Sequence, residues 1–269
     1  MTEYGLCLWT FGSIDFEEKC RLASEIGVDG VEVQGNIKED PKKIKSVLQK
    51  YNLKALSITP EDLDISSSDA KERQQAIEYY LKLVDWATKL EVPRFCLHGQ
   101  VGKINWDKNL QEHWKLLVDS VKIILNKAQD NNLEVVYEVL NRYENYQVLT
   151  AKEGLKLISE VNNENLKLLL DAYHMNIEEE NPASAIDLAG EKLGVYHVAD
   201  SNRQAVGNGH TDFAAQFVAL KKINYVGPII MEISAAGPNP FTPMKENDYL
   251  KEDIDFYKKT LKILKKNFD

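Results

Sequence analysis

The amino-acid sequence predicts an α/β fold, a single (β/α)8 TIM barrel, and three observations carry that expectation. Short apolar runs alternate with long amphipathic stretches from one end of the chain to the other. Eight such repeats fit into 269 residues, and an eight-fold β/α barrel typically needs roughly 250. No linker, low-complexity tract or charge block interrupts the rhythm, so one domain over residues 1–269 is expected.

The strand candidates are residues 4–9, 31–34, 54–58, 94–98, 133–138, 166–171, 194–198 and 228–233. Each is rich in Val, Ile, Leu or aromatic residues and too short to stand as a helix. Between them lie helical patterns. Residues 70–90 place Ile77, Leu81 and Val84 on one face, and residues 114–128 do the same with Leu117, Val121 and Ile124. Asp15 and the Asp40-Pro41 pair look like helix starts, since a capping carboxylate followed by proline suits a first turn. Strands alternating with helices imply a parallel sheet covered by helices, and eight repeats favour closure over an open sheet.

Composition narrows the function classes. Hydrophobic residues make up 43% of the chain and charged residues 28%, which suits a globular protein with a full core. A formal net charge of −9 argues against nucleic acid and anionic membrane surfaces as partners. No apolar run approaches the ~18–20 residues that span a bilayer. The apolar start lacks a basic leader and a small-residue cleavage site, so no signal peptide is expected. Cys7, Cys20 and Cys96 are odd in number and widely scattered, which suits neither disulfides nor a zinc motif. A reduced, cytoplasmic setting follows. The acidic run 178–180, the lysine-rich tail 262–266 and His113 are read as solvated surface.

The chemistry lies at the strand ends. Glu138 ends the fifth strand candidate, Asp171 the sixth and His197 the seventh, and Glu232 falls at the end of the eighth. They are separated by 33, 26 and 35 residues, each close to one β/α repeat. Four consecutive strands therefore deliver a ligand-capable side chain to the same C-terminal rim. Taken singly, a carboxylate there often caps a helix and a histidine is often structural. Taken together, they point to one shared divalent metal, because three packed carboxylates repel one another without a cation. An oxygen-rich set with one imidazole suits Mn²⁺ first, with Mg²⁺, Co²⁺ or Zn²⁺ as alternatives.

Three segments carry a family resemblance. Glu138-Val139-Leu140-Asn141-Arg142-Tyr143-Glu144 resembles the fifth-strand motif of the D-tagatose 3-epimerase and D-psicose (allulose) 3-epimerase family, within the xylose-isomerase-like TIM barrel superfamily. Residues 170–179, Leu-Asp-Ala-Tyr-His-Met-Asn-Ile-Glu-Glu, are similar to its sixth-strand motif. His197 to Arg203, with Gly207-Asn208-Gly209 and Asp212-Phe213, is similar to the seventh-strand motif and loop. The resemblance implies a metal-dependent isomerase acting on a small sugar, by proton abstraction and a metal-stabilised enediolate. It implies that Glu138 and Glu232 are metal ligands and also the two acid/bases, and that Asp171 and His197 are ligands only. Glu144, His174 and Arg203 would hold oxygens at one end of an open-chain ketose. It also implies a homo-oligomer, dimer or tetramer.

The chain departs from the family pattern at Ala199-Asp200, at Val206-Gly207 and at Ile233-Ser234-Ala235. These changes spare the proposed ligands and touch the walls around them, so reaction class transfers better than substrate. Gly207-Asn208-Gly209 reads as a tight turn before a helix capped by Thr211 or Asp212. His98 has no partner in these motifs and is read as supporting or packing. Glu32 is open between a buried polar network and a substrate contact. Other readings remain: an aldose–ketose, hydroxypyruvate or inosose isomerase or dehydratase, an endonuclease-IV-like phosphodiesterase, and a non-catalytic sugar-binding barrel. The few histidines and the negative charge count against the phosphodiesterase.

Overall fold

A computed structural model describes residues 2–98, 101–102, 109–236 and 248–269. Eight parallel strands make one sheet: β1 (Tyr4–Cys7), β2 (Gly30–Gln34), β3 (Lys54–Thr59), β4 (Arg94–Leu97), β5 (Glu134–Val139), β6 (Leu166–Asp171), β7 (Leu193–Val198) and β8 (Ile229–Met231). Their order, β3-β2-β1-β8-β7-β6-β5-β4, joins the first strand to the last. The seam between β3 and β4 is bridged where Arg94 Nη1 donates to the Leu56 carbonyl, at 3.1 Å. The barrel is nearly closed, as the eight-fold rhythm predicts.

The helices are α1 (Phe16–Ile26), α2 (Pro41–Lys50), α3 (Ala70–Leu90), α4 (Leu110–Asp130), α5 (Ala151–Val161), α6 (Ala172–Glu178), α7 (Pro182–Ala189), α8 (Phe213–Lys222) and α9 (Tyr249–Phe268). Their starts follow side-chain chemistry. Asp15 accepts from Glu17 N, Asp40 from Lys42 N beside Pro41, and Asp69 from Lys71 N and Glu72 N. Thr150 and Glu153 form a reciprocal capping box on α5.

Two layers of side chains fill the molecule. Helix faces pack on the outward face of the strands in one large core. Inside the barrel a separate buried cluster holds Cys7, Leu56, Cys96, Val136, Leu169, Val195 and Ile230. Strand side chains alternate with period two. The next inward positions above that plug are therefore Glu138, Asp171, His197 and Glu232. The core sets the height of the site.

Several expectations need correction. The first strand stops at Cys7, because Leu8–Phe11 turn into a 3-10 helix with the Thr10 hydroxyl donating to the Cys7 carbonyl at 2.8 Å. The last strand is three residues long; Ser234 N leaves the sheet direction and donates to the Arg203 carbonyl at 2.8 Å. His113 is buried rather than superficial, with its Nδ1 2.8 Å from the Tyr146 hydroxyl. Glu178 is no solvated helix end: its carboxylate holds the backbone N–H and guanidinium of Arg142, and Glu179 accepts from Ala151 N at 2.7 Å. Acidic runs close to a helix start find donors that sequence proximity does not reveal. The tail 262–266 lies on α9, with Lys262, Lys265 and Lys266 exposed as expected.

Close strand packing leaves no room at Gly30. A Cβ there would lie 2.5 Å from the Lys54 carbonyl oxygen and 2.7 Å from Leu56 Cγ. Gly30→Ala is expected to cost about 1–3 kcal/mol, because β2 and β3 must part. An unchanged denaturation midpoint would show that the two strands separate freely.

Candidate active site

The four ligand candidates converge at the C-terminal mouth. Each offers one ligand atom such that all four atoms lie within 4.8 Å of one another, and all four residues are buried. A register shift between Leu168 and Leu169 sets Asp171 opposite His197 across β6 and β7. His197 Nδ1 is 3.2 Å from Glu232 Oε2 and 4.0 Å from Glu138 Oε1. Asp171 also caps α6, with Oδ1 accepting from Tyr173 N at 2.9 Å, while its Oδ2 turns to Arg203. The helix-cap and ligand readings are therefore compatible, one oxygen for each.

Arg203 brings a guanidinium into this cluster. It pairs with Asp171 and, through Nη2 at 3.0 Å, with Glu232, and it lies over the Tyr173 ring at 4.5 Å. Its backbone adopts a left-handed φ of 66°. The loop that imposes this conformation is wound around Asp200. That carboxylate accepts from the backbone N–H groups of Ser201 (2.7 Å), Gly207 (2.8 Å) and Thr211 (3.1 Å). A Cβ at Gly209 would lie 2.4 Å from Asp200 Oδ1, so glycine is required there. The departure at position 200 is thus the loop's anchor, and Asp212 caps the following helix by accepting from Ala215 N at 3.0 Å.

Electrostatics splits the two glutamates. Burial and the nearby charge of Glu232 push the Glu138 carboxyl well above the usual carboxylate range. Burial acts the same way on Glu232, but the Arg203 guanidinium and His197 outweigh it and hold Glu232 below that range. Without a cation, the pair keeps one proton between them. Burial opposes charge on His197, and Glu32 and Glu232 overcome it, raising its affinity for a proton well above that of free histidine. This donor set fits a divalent ion. Three carboxylate groups and an imidazole face one point, and among the described residues the hydrogen-bond donor to Glu138 Oε2 is the weak Cys96 thiol, at 3.5 Å.

A cavity of about 1030 Å³ opens above the cluster. Glu138 and Glu232 border it, with Glu144, His174 and Arg203, whereas Asp171 and His197 are buried behind its wall. All seven sequence-derived residues therefore gather at one mouth. Asn141 ties the wall together: its side-chain amide contacts His174 Nδ1 at 2.7 Å and donates to Glu144 Oε1 at 3.1 Å. Burial pushes the His174 pKa down to about 3, so its imidazole is neutral. Burial also raises the Glu144 carboxyl. His98 borders the cavity too, with its pKa lowered to about 4 by burial. Glu32 proves to be part of the buried network, accepting from the Thr59 hydroxyl at 2.6 Å and facing His197.

Sequence reading missed Trp9, Asn141 and Lys19. Trp9 Nε1 donates to Glu232 Oε1 at 3.1 Å from the 3-10 turn. Its signal was available, since it stands two positions beyond Cys7, but the turn after Cys7 hides that period. Asn141 lay inside the fifth-strand motif. Lys19 is a buried residue of α1 that reaches the cavity wall, and nothing in its local pattern separates it from a solvated lysine.

The chain matches the family model "Xylose isomerase-like TIM barrel" over residues 20–260. It is 36% identical over 193 residues to an L-ribulose 3-epimerase from Methylomonas sp., covering 70% of this chain and 67% of that protein. It is 34% identical over 174 residues to a D-psicose 3-epimerase from Ruminiclostridium cellulolyticum, covering 63% of this chain and 59% of that one. The chain thus aligns with about three fifths to two thirds of these curated relatives. A crystal structure of D-allulose 3-epimerase from Methylomonas sp., in complex with D-allulose, superposes with a TM-score of 0.88 at 30% identity, covering 99% of this chain and 97% of that one. The chain belongs to the xylose isomerase-like TIM-barrel family, and within it to the group that holds the ketose 3-epimerases.

Proposed function

We propose that this chain is a divalent-metal-dependent ketose 3-epimerase, an isomerase that inverts the carbon next to a ketose carbonyl. One observation carries the reading. Of the four clustered ligand candidates, two carboxylates, Glu138 and Glu232, border the cavity, while Asp171 and His197 stand behind them. Inversion needs a base on each face of a planar intermediate, and two cavity-facing glutamates from β5 and the end of β8 are placed for that.

Glu138, Asp171, His197 and Glu232 would hold the cation, with Mn²⁺ the first candidate for an oxygen-rich set. When bound, it supplies Lewis-acid polarisation of the sugar carbonyl and the adjacent hydroxyl. The chain's own residues do the rest. In one direction Glu232, held ionised by Arg203, takes the proton from one face while Glu138 in its protonated form gives one to the other. In the reverse direction they exchange roles. Neutral His174 and the Arg203 guanidinium orient the sugar oxygens at one end, with Glu144 accepting a hydroxyl. The Trp9 Nε1–H steers the Glu232 carboxylate.

A small, open-chain sugar is the substrate class, in keeping with the sugar-bound relative. One domain over residues 1–269 and a cytoplasmic setting belong to the same reading; three buried, unpaired cysteines support the setting. A dimer or tetramer rests on the family resemblance. The test is a ketose panel incubated with the Mn²⁺-loaded protein in D₂O. Deuterium entering at C3 together with a 3-epimeric product is expected. Exchange confined to C1 or C2 with an aldose product would replace this reading with an aldose–ketose isomerase.

A further inference from the structure

The proposed ligand set draws on no residue of β1 to β4, yet β2 places a carboxylate directly behind the imidazole of β7. Glu32 is only 2% exposed, and its Oε2 lies 3.4 Å from His197 Nε2. Among the described residues both atoms are buried with their hydrogen-bonding capacity unfilled, so each has the other as its nearest complement. The other oxygen of Glu32, Oε1, is fixed from both sides, by the Thr59 hydroxyl of β3 at 2.6 Å and the Cys7 thiol of β1 at 3.6 Å. His197 therefore sits between two acidic regions. Its Nε2 faces Glu32, and its Nδ1 faces Glu232 and Glu138.

An imidazole offers a metal one lone pair, and the nitrogen that keeps its hydrogen is the one that has an acceptor. Glu32 is that acceptor. A buried carboxylate behind a ligating histidine fixes ring orientation and strengthens the ligand, and its loss typically weakens metal binding about 10–100-fold. We propose that Glu32 is a positioning residue of the metal centre: it accepts the Nε2–H of His197 and so commits Nδ1 to the cation, with Thr59 and Cys7 holding Glu32 in place. This inference rests on the ligand set proposed above. It gives β1, β2 and β3 a share in building a site whose proposed ligands stand at the ends of β5 to β8.

The experiment measures Mn²⁺ affinity by titrating metal-free protein, alongside far-UV circular dichroism. Glu32→Gln keeps shape and one carbonyl acceptor, whereas Glu32→Leu removes the acceptor. Affinity is expected to fall about tenfold in Glu32→Gln and about a hundredfold in Glu32→Leu, with the barrel's spectrum retained. Thr59→Val, which frees Glu32 on one side only, is expected to lose about threefold by the same route. In the Mg²⁺-loaded wild type, long-range ¹H–¹⁵N spectra are expected to show His197 protonated at Nε2, which serves as a second readout should the Leu variant not fold. Glu32→Gln binding Mn²⁺ within twofold of wild type, or a proton at Nδ1, would overturn the positioning role. A wild-type chain that binds no divalent ion would instead bring down the ligand set itself, and the two failures are distinguishable.

Discussion

Glu138→Gln and Glu232→Gln are each expected to lower kcat by about a hundredfold to ten-thousandfold, the range that a positioned general acid or base supplies. The amide keeps an oxygen for the cation and the volume of the side chain, so the loss reports on proton transfer more than on packing. The two variants should also differ in kind. With Glu138 replaced, Glu232 still removes the proton from the face it serves, so that epimer exchanges deuterium at C3 without inverting. With Glu232 replaced, the opposite epimer does so. Steady-state rates on the purified, metal-loaded variants, with exchange followed by NMR, check both expectations. Near-wild-type turnover in either variant would remove the two-base mechanism.

Stripping the cation with a chelator is expected to abolish epimerisation and to soften the fold. A ligand present at 100 times its Kd stabilises the folded state by about 2.7 kcal/mol. In a domain of this size that corresponds to a Tm change of about 5–10 °C. The direction follows from the site itself, where three buried carboxylate groups share two positive side chains, Arg203 and His197. A cation offsets the burial and the Glu232 charge that favour the protonated form of Glu138. Differential scanning fluorimetry with Mn²⁺, Co²⁺, Mg²⁺ and Zn²⁺ in turn reads the effect and ranks the metals. A Tm indifferent to all four would count against a metal centre here.

The sequence reading and the structure agree most closely where information is local. Asp15, Asp40 and Asp212 cap helices as their neighbours imply. Residues 70–90 form one helix, as their apolar spacing implies. Glu138, Asp171, His197 and Glu232 were legible because strand period and repeat length together define a height and a face. The disagreements involve partners distant in sequence. His113 looks superficial on its own helix until Tyr146 is brought against it. Glu178 looks solvated until Arg142, 36 residues earlier, folds over it. The strand boundaries at Cys7 and Met231 moved because side chains and loops, not strand propensity, decide where pairing stops.

By itself, the chain's pattern of apolar runs and amphipathic stretches determined the barrel, its single repeating unit and the four strand ends that carry ligand-type side chains. Only the tertiary structure decided which of those side chains face the cavity and which stand behind it. It also decided that Arg203 neutralises Asp171 and Glu232, that Asp200 anchors the loop holding Arg203, and that Glu32 backs His197. The reason is physical. Periodicity is a property of one segment and fixes the face of each residue. Contact across the mouth depends on barrel closure and on register shifts such as those at Val31/Glu32 and Leu168/Leu169, which no single segment encodes.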